Sequence, residues 1–161
     1  MRLKFNNGGC LPQGICELTL DEFEKEFVFD KSQRRREIFD QYKIHLNDIE
    51  ETGCCLNHWI DGSFVTLKEN PGDIDTLTEF DGVKVAKLGM HEKIEDIIYN
   101  APLRTNGCCH SFLVYKVPEC YGKDYESYVD SKCIYLQDLF PKIRSSDNLK
   151  GFIKLKESDD V

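Results

Sequence analysis

The chain has 161 residues and a mass of 18.7 kDa, with Lys+Arg 21 against Asp+Glu 29, a formal net charge of −8. That length fits one compact domain, and 40% hydrophobic with 11% aromatic residues is enough to bury a core, which excludes wholesale disorder. An acidic chain lacks the Lys/Arg excess that sequence-independent DNA binding needs, so any nucleotide contact must come from a local site or a bound cation.

No run of about 18 apolar residues is present, so no membrane span is expected. Residues 1–9 reach polar and glycine residues at once, without the apolar stretch of a signal peptide, and a cytoplasmic protein is expected. Residues 1–30 read as an N-terminal arm and a short helix. Leu11-Pro12-Gln13-Gly14 is turn chemistry, and Thr19 with Glu22 has the spacing of a capping box. The helix that follows turns Phe23, Phe27 and Phe29 to one side. The clearest helix is capped by Ser32 and carries Ile38, Phe39, Tyr42, Leu46 and Ile49 at near-helical spacing until Gly53. Arg34, Arg35 and Arg36 fall in its first turn, where the helix dipole prefers anions. Charge runs are usually solvated, so this one reads as an exposed face with Asp30 and Glu37 as partners rather than as a phosphate contact.

Residues 54–60 read as a buried strand that Asp61-Gly62-Ser63 breaks. A second strand is expected over 73–77. Residues 83–99 become helical in their latter part, and Asn100-Ala101-Pro102 ends them. A third strand runs over 109–117, rich in strand formers and stopped by Pro118. From Asp124 a helix carries Tyr125, Tyr128, Ile134, Leu136 and Leu139, followed by a final strand over 151–155. Strands and helices alternate. The expected class is therefore α/β (α+β): one domain over 1–161, a small mixed β-sheet flanked by helices, with a motif-bearing core over 54–117.

Eight cysteines (10, 16, 54, 55, 108, 109, 120 and 133) would permit a disulfide framework in a secreted protein. In a reducing compartment they read as small buried hydrophobes. Zinc is the competing reading, through Cys55 with His58 and through Cys108-Cys109-His110. No pair of C-x₂₋₄-C knuckles supports it, and adjacent cysteines chelate one tetrahedral ion poorly.

One region stands out: Trp59-Ile60-Asp61-Gly62-Ser63, then Asp73-Ile74-Asp75. Asp73 and Asp75 are two apart in an expected strand, so their carboxylates share a face. Like charges so placed repel unless a cation sits between them. Mg²⁺ (or Mn²⁺) suits two carboxylates completed by substrate phosphates and water. Gly62 and Ser63 follow a strand, where a glycine permits close backbone approach and N–H groups with a hydroxyl receive a phosphate.

This spacing resembles the signature of the nucleotidyltransferase (polymerase-beta-like) superfamily: a hydrophobic residue, Gly, Gly or Ser, then acid–hydrophobic–acid, with Asp61 inserted here before Gly62. More closely, residues 59–68 followed by Pro71-Gly72-Asp73-Ile74-Asp75 resemble an uncharacterised bacterial family of single-domain nucleotidyltransferase-like proteins. Leu11-Pro12-x-Gly14, Leu18-Thr19…Glu22-Phe23 and Lys150-Gly151 fit that family too. The resemblance implies a minimal nucleotidyltransferase-like fold and metal-assisted transfer of a nucleotidyl group from an NTP to an unknown acceptor. Asp73 and Asp75 would hold Mg²⁺, Gly62 and Ser63 the phosphates, and Lys68 would add a point charge.

The sequence departs from the superfamily at the third acid, which active members carry on a neighbouring strand. Residues 109–114 hold no Asp or Glu, and His110 or Ser111 takes that place. A histidine there can accept a proton but weakens binding of a hard cation. Glu119 and Asp124 substitute only if the chain folds back. Two readings follow. One is an active nucleotidyltransferase centred on Asp73, Asp75 and His110. The other is a degenerate fold that binds a nucleotide or a protein partner as a regulator, for example within a toxin–antitoxin or defence system.

Overall fold

The computed structural model describes residues 3–143 and 148–157. Five strands form one open mixed sheet: β1 (Gly14–Leu18), β2 (Cys55–Asp61), β3 (Ile74–Asp81), β4 (Cys109–Lys116) and β5 (Gly151–Leu155), in the order β1-β5-β2-β3-β4. β1 runs parallel to β5 and β3 parallel to β4, while β2 is antiparallel to both β3 and β5. The helices are α1 (Leu20–Phe27), α2 (Gln33–Glu51), α3 (Gly82–Leu88), α4 (His91–Tyr99), α5 (Ala101–Arg104) and α6 (Lys123–Cys133). The class is mixed α/β, as the alternation of patterns implies.

Local chemistry explains most boundaries. The capping box at Thr19 and Glu22 closes in both directions, and Phe23 and Phe27 are buried. Phe29 is exposed instead, because α1 ends at Phe27 and Asp30 turns the chain with a positive φ of 56°. Ser32 caps α2 through the Arg35 N–H, and Ile38, Phe39, Tyr42, Leu46 and Ile49 all face the core. Residues 83–99 form two helices rather than one, since Gly89 takes the left-handed conformation that ends α3. Pro102 does not end the helical stretch but sits in the first turn of α5, where a missing N–H costs nothing. The helix from α6 continues as one π-helical turn over Ile134–Leu139.

β1 is the one strand without a matching expectation. It is a five-residue edge strand, and its turn-like opening at Gly14 masks the pattern. It exists because β5 approaches it closely: the Gly151 N–H donates to the Leu11 carbonyl, and a Cβ at Gly151 would collide with the carbonyl of Pro12. Leu11-Pro12-x-Gly14 and Lys150-Gly151 are thus halves of one contact.

Side-chain alternation gives the sheet two faces. One face, with Ile60, Ile74 and Ile153, packs on the aromatic cluster of α1 and α2, where Phe23, Phe39, Tyr42 and Phe64 interlock. The other, with Trp59, Leu77, Val114 and Phe152, takes Phe140 and the α6 side. No residue of α6 is fully buried; Tyr128 packs half-buried against this face, and polar chemistry adds to its hold. The buried Glu79 carboxylate accepts from Tyr128 Oη (2.6 Å) and Asn57 Nδ2 (2.7 Å) and pairs with Lys132 Nζ (2.6 Å). Burial alone would raise the Glu79 carboxyl, but these three partners hold it below its usual range. The eight cysteines are free thiols, with Cys54, Cys108 and Cys109 buried. Among the described residues, no helix is long and apolar enough to cross a membrane.

A polar layer lies between α2 and the sheet. His45 Nε2 meets Ser111 Oγ at 2.6 Å, Ser111 meets Thr76 Oγ1 at 2.8 Å, and His58 Nδ1 meets Thr78 Oγ1 at 2.8 Å. Burial pushes the histidines down, His45 to about 4 with Arg104 adding to the effect, and His58 to about 3 with His45 adding. Both are therefore neutral in the fold, while the unfolded chain takes up protons near pH 6.5. Their contribution is complete above pH 6.5 and is lost as pH falls toward these lower values. Urea unfolding at stepped pH should show wild type losing about 1 kcal/mol per pH unit more than His45→Gln between pH 6 and 4.5. Parallel stability curves for the two proteins would mean that His45 is not held neutral.

Candidate functional site

Four strands present one edge together: the end of β2 and the starts of β3, β4 and β5. The register places Asp61 opposite Asp75 and Asp75 opposite His110. Lys150, one residue before β5, closes the row with its ammonium on the Asp61 carboxylate. Each lies two residues before or after a residue of the α6-side face (Phe152, Trp59, Leu77 and Phe112), so alternation turns all four to that side. Asp73 is just outside β3, half-buried, and one residue beyond Gly72.

The turn beside this row is built around an absent side chain. Gly62 has φ 88° and ψ −172°, a conformation essentially reserved for glycine. A Cβ there would sit 2.7 Å from Asp75 Oδ2, so the carboxylate of the acid motif lies against the backbone of the Gly62-Ser63 turn. Ser63 opens a 3₁₀ turn, Ser63–Val65, and its carbonyl accepts from the Thr66 N–H and Oγ1. Phe64, immediately after it, is fully buried and stacks on Phe23 at 5.8 Å.

The loop from this turn to Asp73 is gripped by the first turn of α2. All five guanidinium N–H donors of Arg35 go to backbone carbonyls: Phe27, Phe64 (2.7 Å), Thr66 (2.7 Å), and Lys68 from both Nε and Nη2. Arg34 Nη2 donates to the Gly72 carbonyl (2.6 Å), and Ser32 Oγ to that of Glu69 (2.7 Å). The arginine run is therefore not simply a solvated face. Arg34 and Arg36 do reach Glu37 and Glu24, but Arg35 is 3% exposed, and burial pushes it down to about 10. Its donors are all spent on carbonyls, which leaves none for a phosphate.

The electrostatics centre on Asp75. Burial first, then the neighbouring Asp73 and Asp61, push its carboxyl up to about 6, while His110 and Lys150 act in the other direction. Burial also pushes Asp61 up, with the Lys150 ammonium and the Gly62 N–H pulling it back. His110 is exposed, with Nδ1 3.8 Å from Asp75 Oδ1 and its ring against Phe112. Crowded carboxylates of this kind are relieved by a cation, and Asp73 and Asp75 are the residues that could hold one. Among the described residues, no group of three or more His, Cys, Asp or Glu is arranged to enclose a metal.

The structure thus brings together Gly62, Ser63, Asp73, Asp75 and His110 from the sequence reading. It does not bring Lys68 with them. Lys68 lines a separate hollow of about 420 Å³ with Phe5, Asp30, Arg35 and Leu67. The cation of the row is Lys150, and its carboxylate partner is Asp61, the residue inserted in the motif.

A protein-family model described as a family of unknown function, DUF6932, matches residues 3–156. The chain belongs to the DUF6932 family. No curated protein and no solved structure matches it. For this DUF6932 member, the match spans the four strands of the row and β1 as well.

The contact at Gly62 is directly testable. Gly62→Ala should cost about 1–3 kcal/mol in denaturant unfolding, whereas Gly72→Ala, with open space around its Cα, should stay within roughly 0.5 kcal/mol of wild type. Equal effects at the two positions would show that Asp75 is not packed on the turn.

Proposed function

We propose that this chain is a nucleotidyltransferase-like protein that binds a nucleoside triphosphate at the β2–β3–β4 edge and transfers its nucleotidyl group to an acceptor. The observation that supports this most is the contact of the Asp75 carboxylate with the Gly62-Ser63 turn, with Asp73 beside it. That contact supports the reading because carboxylates suited to a cation then lie beside a backbone turn suited to a phosphate. A bound Mg²⁺ or Mn²⁺ would offset the charge of the triphosphate and polarise the reacting phosphorus. Asp73 and Asp75 would hold that ion, and the Ser63 N–H and hydroxyl would orient the β- and γ-phosphates.

In this reading, an acceptor hydroxyl oxygen bonds to the α-phosphorus, the bond from that phosphorus to the β-phosphate bridging oxygen breaks, and pyrophosphate leaves. The hydroxyl proton passes to His110, the exposed base beside Asp75. A second reading has its own support. β4 carries His110 where an acid would complete a metal cage, so the same edge also suits a regulator that binds a nucleotide or a protein partner without turnover.

A thermal-shift panel with ATP, GTP, CTP and UTP, each with and without Mg²⁺ or Mn²⁺, tests the proposal. A nucleotide at 100 times its Kd stabilises by about 2.7 kcal/mol, roughly 5–10 °C for a domain of this size. We expect a metal-dependent shift in wild type that Asp73→Asn abolishes. Binding without transfer to RNA, protein or small-molecule acceptors would select the regulator. No shift with any nucleotide would overturn both nucleotide readings.

A further inference from the structure

Lys150 is 8% exposed, and an ammonium so far from water needs polar partners. Asp61 is the partner. The backbone around Lys150 is fixed: its own N–H donates to the Pro141 carbonyl (2.7 Å), and the next N–H to the Leu11 carbonyl (3.0 Å). The following glycine leaves no room for β5 to move away from the 11–14 segment. The ammonium is thus presented at one place, on the residue immediately before Gly62. A lysine ammonium has three N–H donors, and its bond to Asp61 leaves others for an incoming oxygen. It also lies near enough to Asp75 to favour the charged carboxylate.

We propose that Lys150 is a phosphate-binding residue of this edge: its ammonium, presented by Asp61 beside the Gly62-Ser63 turn, takes the polyphosphate of the incoming nucleotide. The proposal rests on the reading of the edge as a triphosphate site, and it gives Lys150 the role that the resemblance implied for Lys68. Asp61 is then not the missing third acid. It is spent on the lysine, as a positioning residue.

Removing Lys150 alone would leave Asp61 buried and unpaired, so the test removes both charges. Asp61→Asn leaves the Lys150 ammonium an amide oxygen to bond, and bound polyphosphate supplies the counter-charge. Asp61→Asn/Lys150→Met replaces the pair with neutral groups of similar shape, a change that folded proteins commonly tolerate. Each full-length protein is titrated calorimetrically with Mg²⁺-ATP and, separately, with Mg²⁺-tripolyphosphate, after its thermal midpoint is recorded. We expect Asp61→Asn to bind tripolyphosphate within a few fold of wild type, and the double variant to bind it roughly tenfold or more weakly. Lys150→Arg retains a cation and should retain the affinity, and Lys68→Met should match wild type. Affinity in the double variant equal to that of Asp61→Asn overturns the proposal. Tripolyphosphate binding that depends on Lys150, in a protein that takes no NTP, supports the phosphate site and removes the nucleotidyltransferase reading. A wild type that binds neither ligand overturns both.

Discussion

The charge of Arg35 is the constraint around which the rest of the site is arranged. A guanidinium taken out of water needs every donor satisfied, and all five donors of this one go to backbone carbonyls. Backbone carbonyls of Phe27, Phe64, Thr66 and Lys68 do so instead, which forces the chain after Ser63 to wrap the start of α2. Arg34 and Ser32 extend the same grip to Gly72 and Glu69. The loop between the glycine turn and the acid motif thus hangs from three residues in one helical turn. The cations oppose the helix dipole, and the dense carbonyl shell is what offsets that cost.

With that loop fixed, geometry follows from strand register. Asp61, Asp75 and His110 face one another because β2, β3 and β4 pair at those residues, and the Thr76–Ser111–His45 chain ties the next register pair to α2 from the opposite face. Gly62 lets the Asp75 carboxylate lie on the turn. The edge that results is anionic and crowded, which is a destabilised arrangement for the free protein and a favourable one for a cation. Functional sites commonly hold such unfavourable charge, supported by the packing around them.

The parts of this arrangement that were legible in the sequence are the local ones. Gly62-Ser63 and Asp73-x-Asp75 announce themselves by residue type and spacing, and the helix over 33–51 by its periodic apolar face. The parts that were not legible are long-range. Lys150 joins the row from some 90 residues beyond Asp61, and nothing in its neighbourhood marks a charge partner. Arg35 looked like any member of a solvated charge run, because its partners are carbonyls, which carry no sequence signal. Lys68 was near in sequence but turns into another hollow. β1 was hidden by its brevity and its turn-like opening.

We propose that Asp73 and Asp75, beside the Gly62-Ser63 turn, form a divalent-cation and triphosphate site. Crystals grown with Mn²⁺ and a non-hydrolysable ATP analogue test it most directly through anomalous scattering. We expect a manganese peak bridging Asp73, Asp75 and the analogue's phosphates, with the Lys150 ammonium against the polyphosphate. Manganese and analogue bound elsewhere, with the two carboxylates untouched, would contradict it.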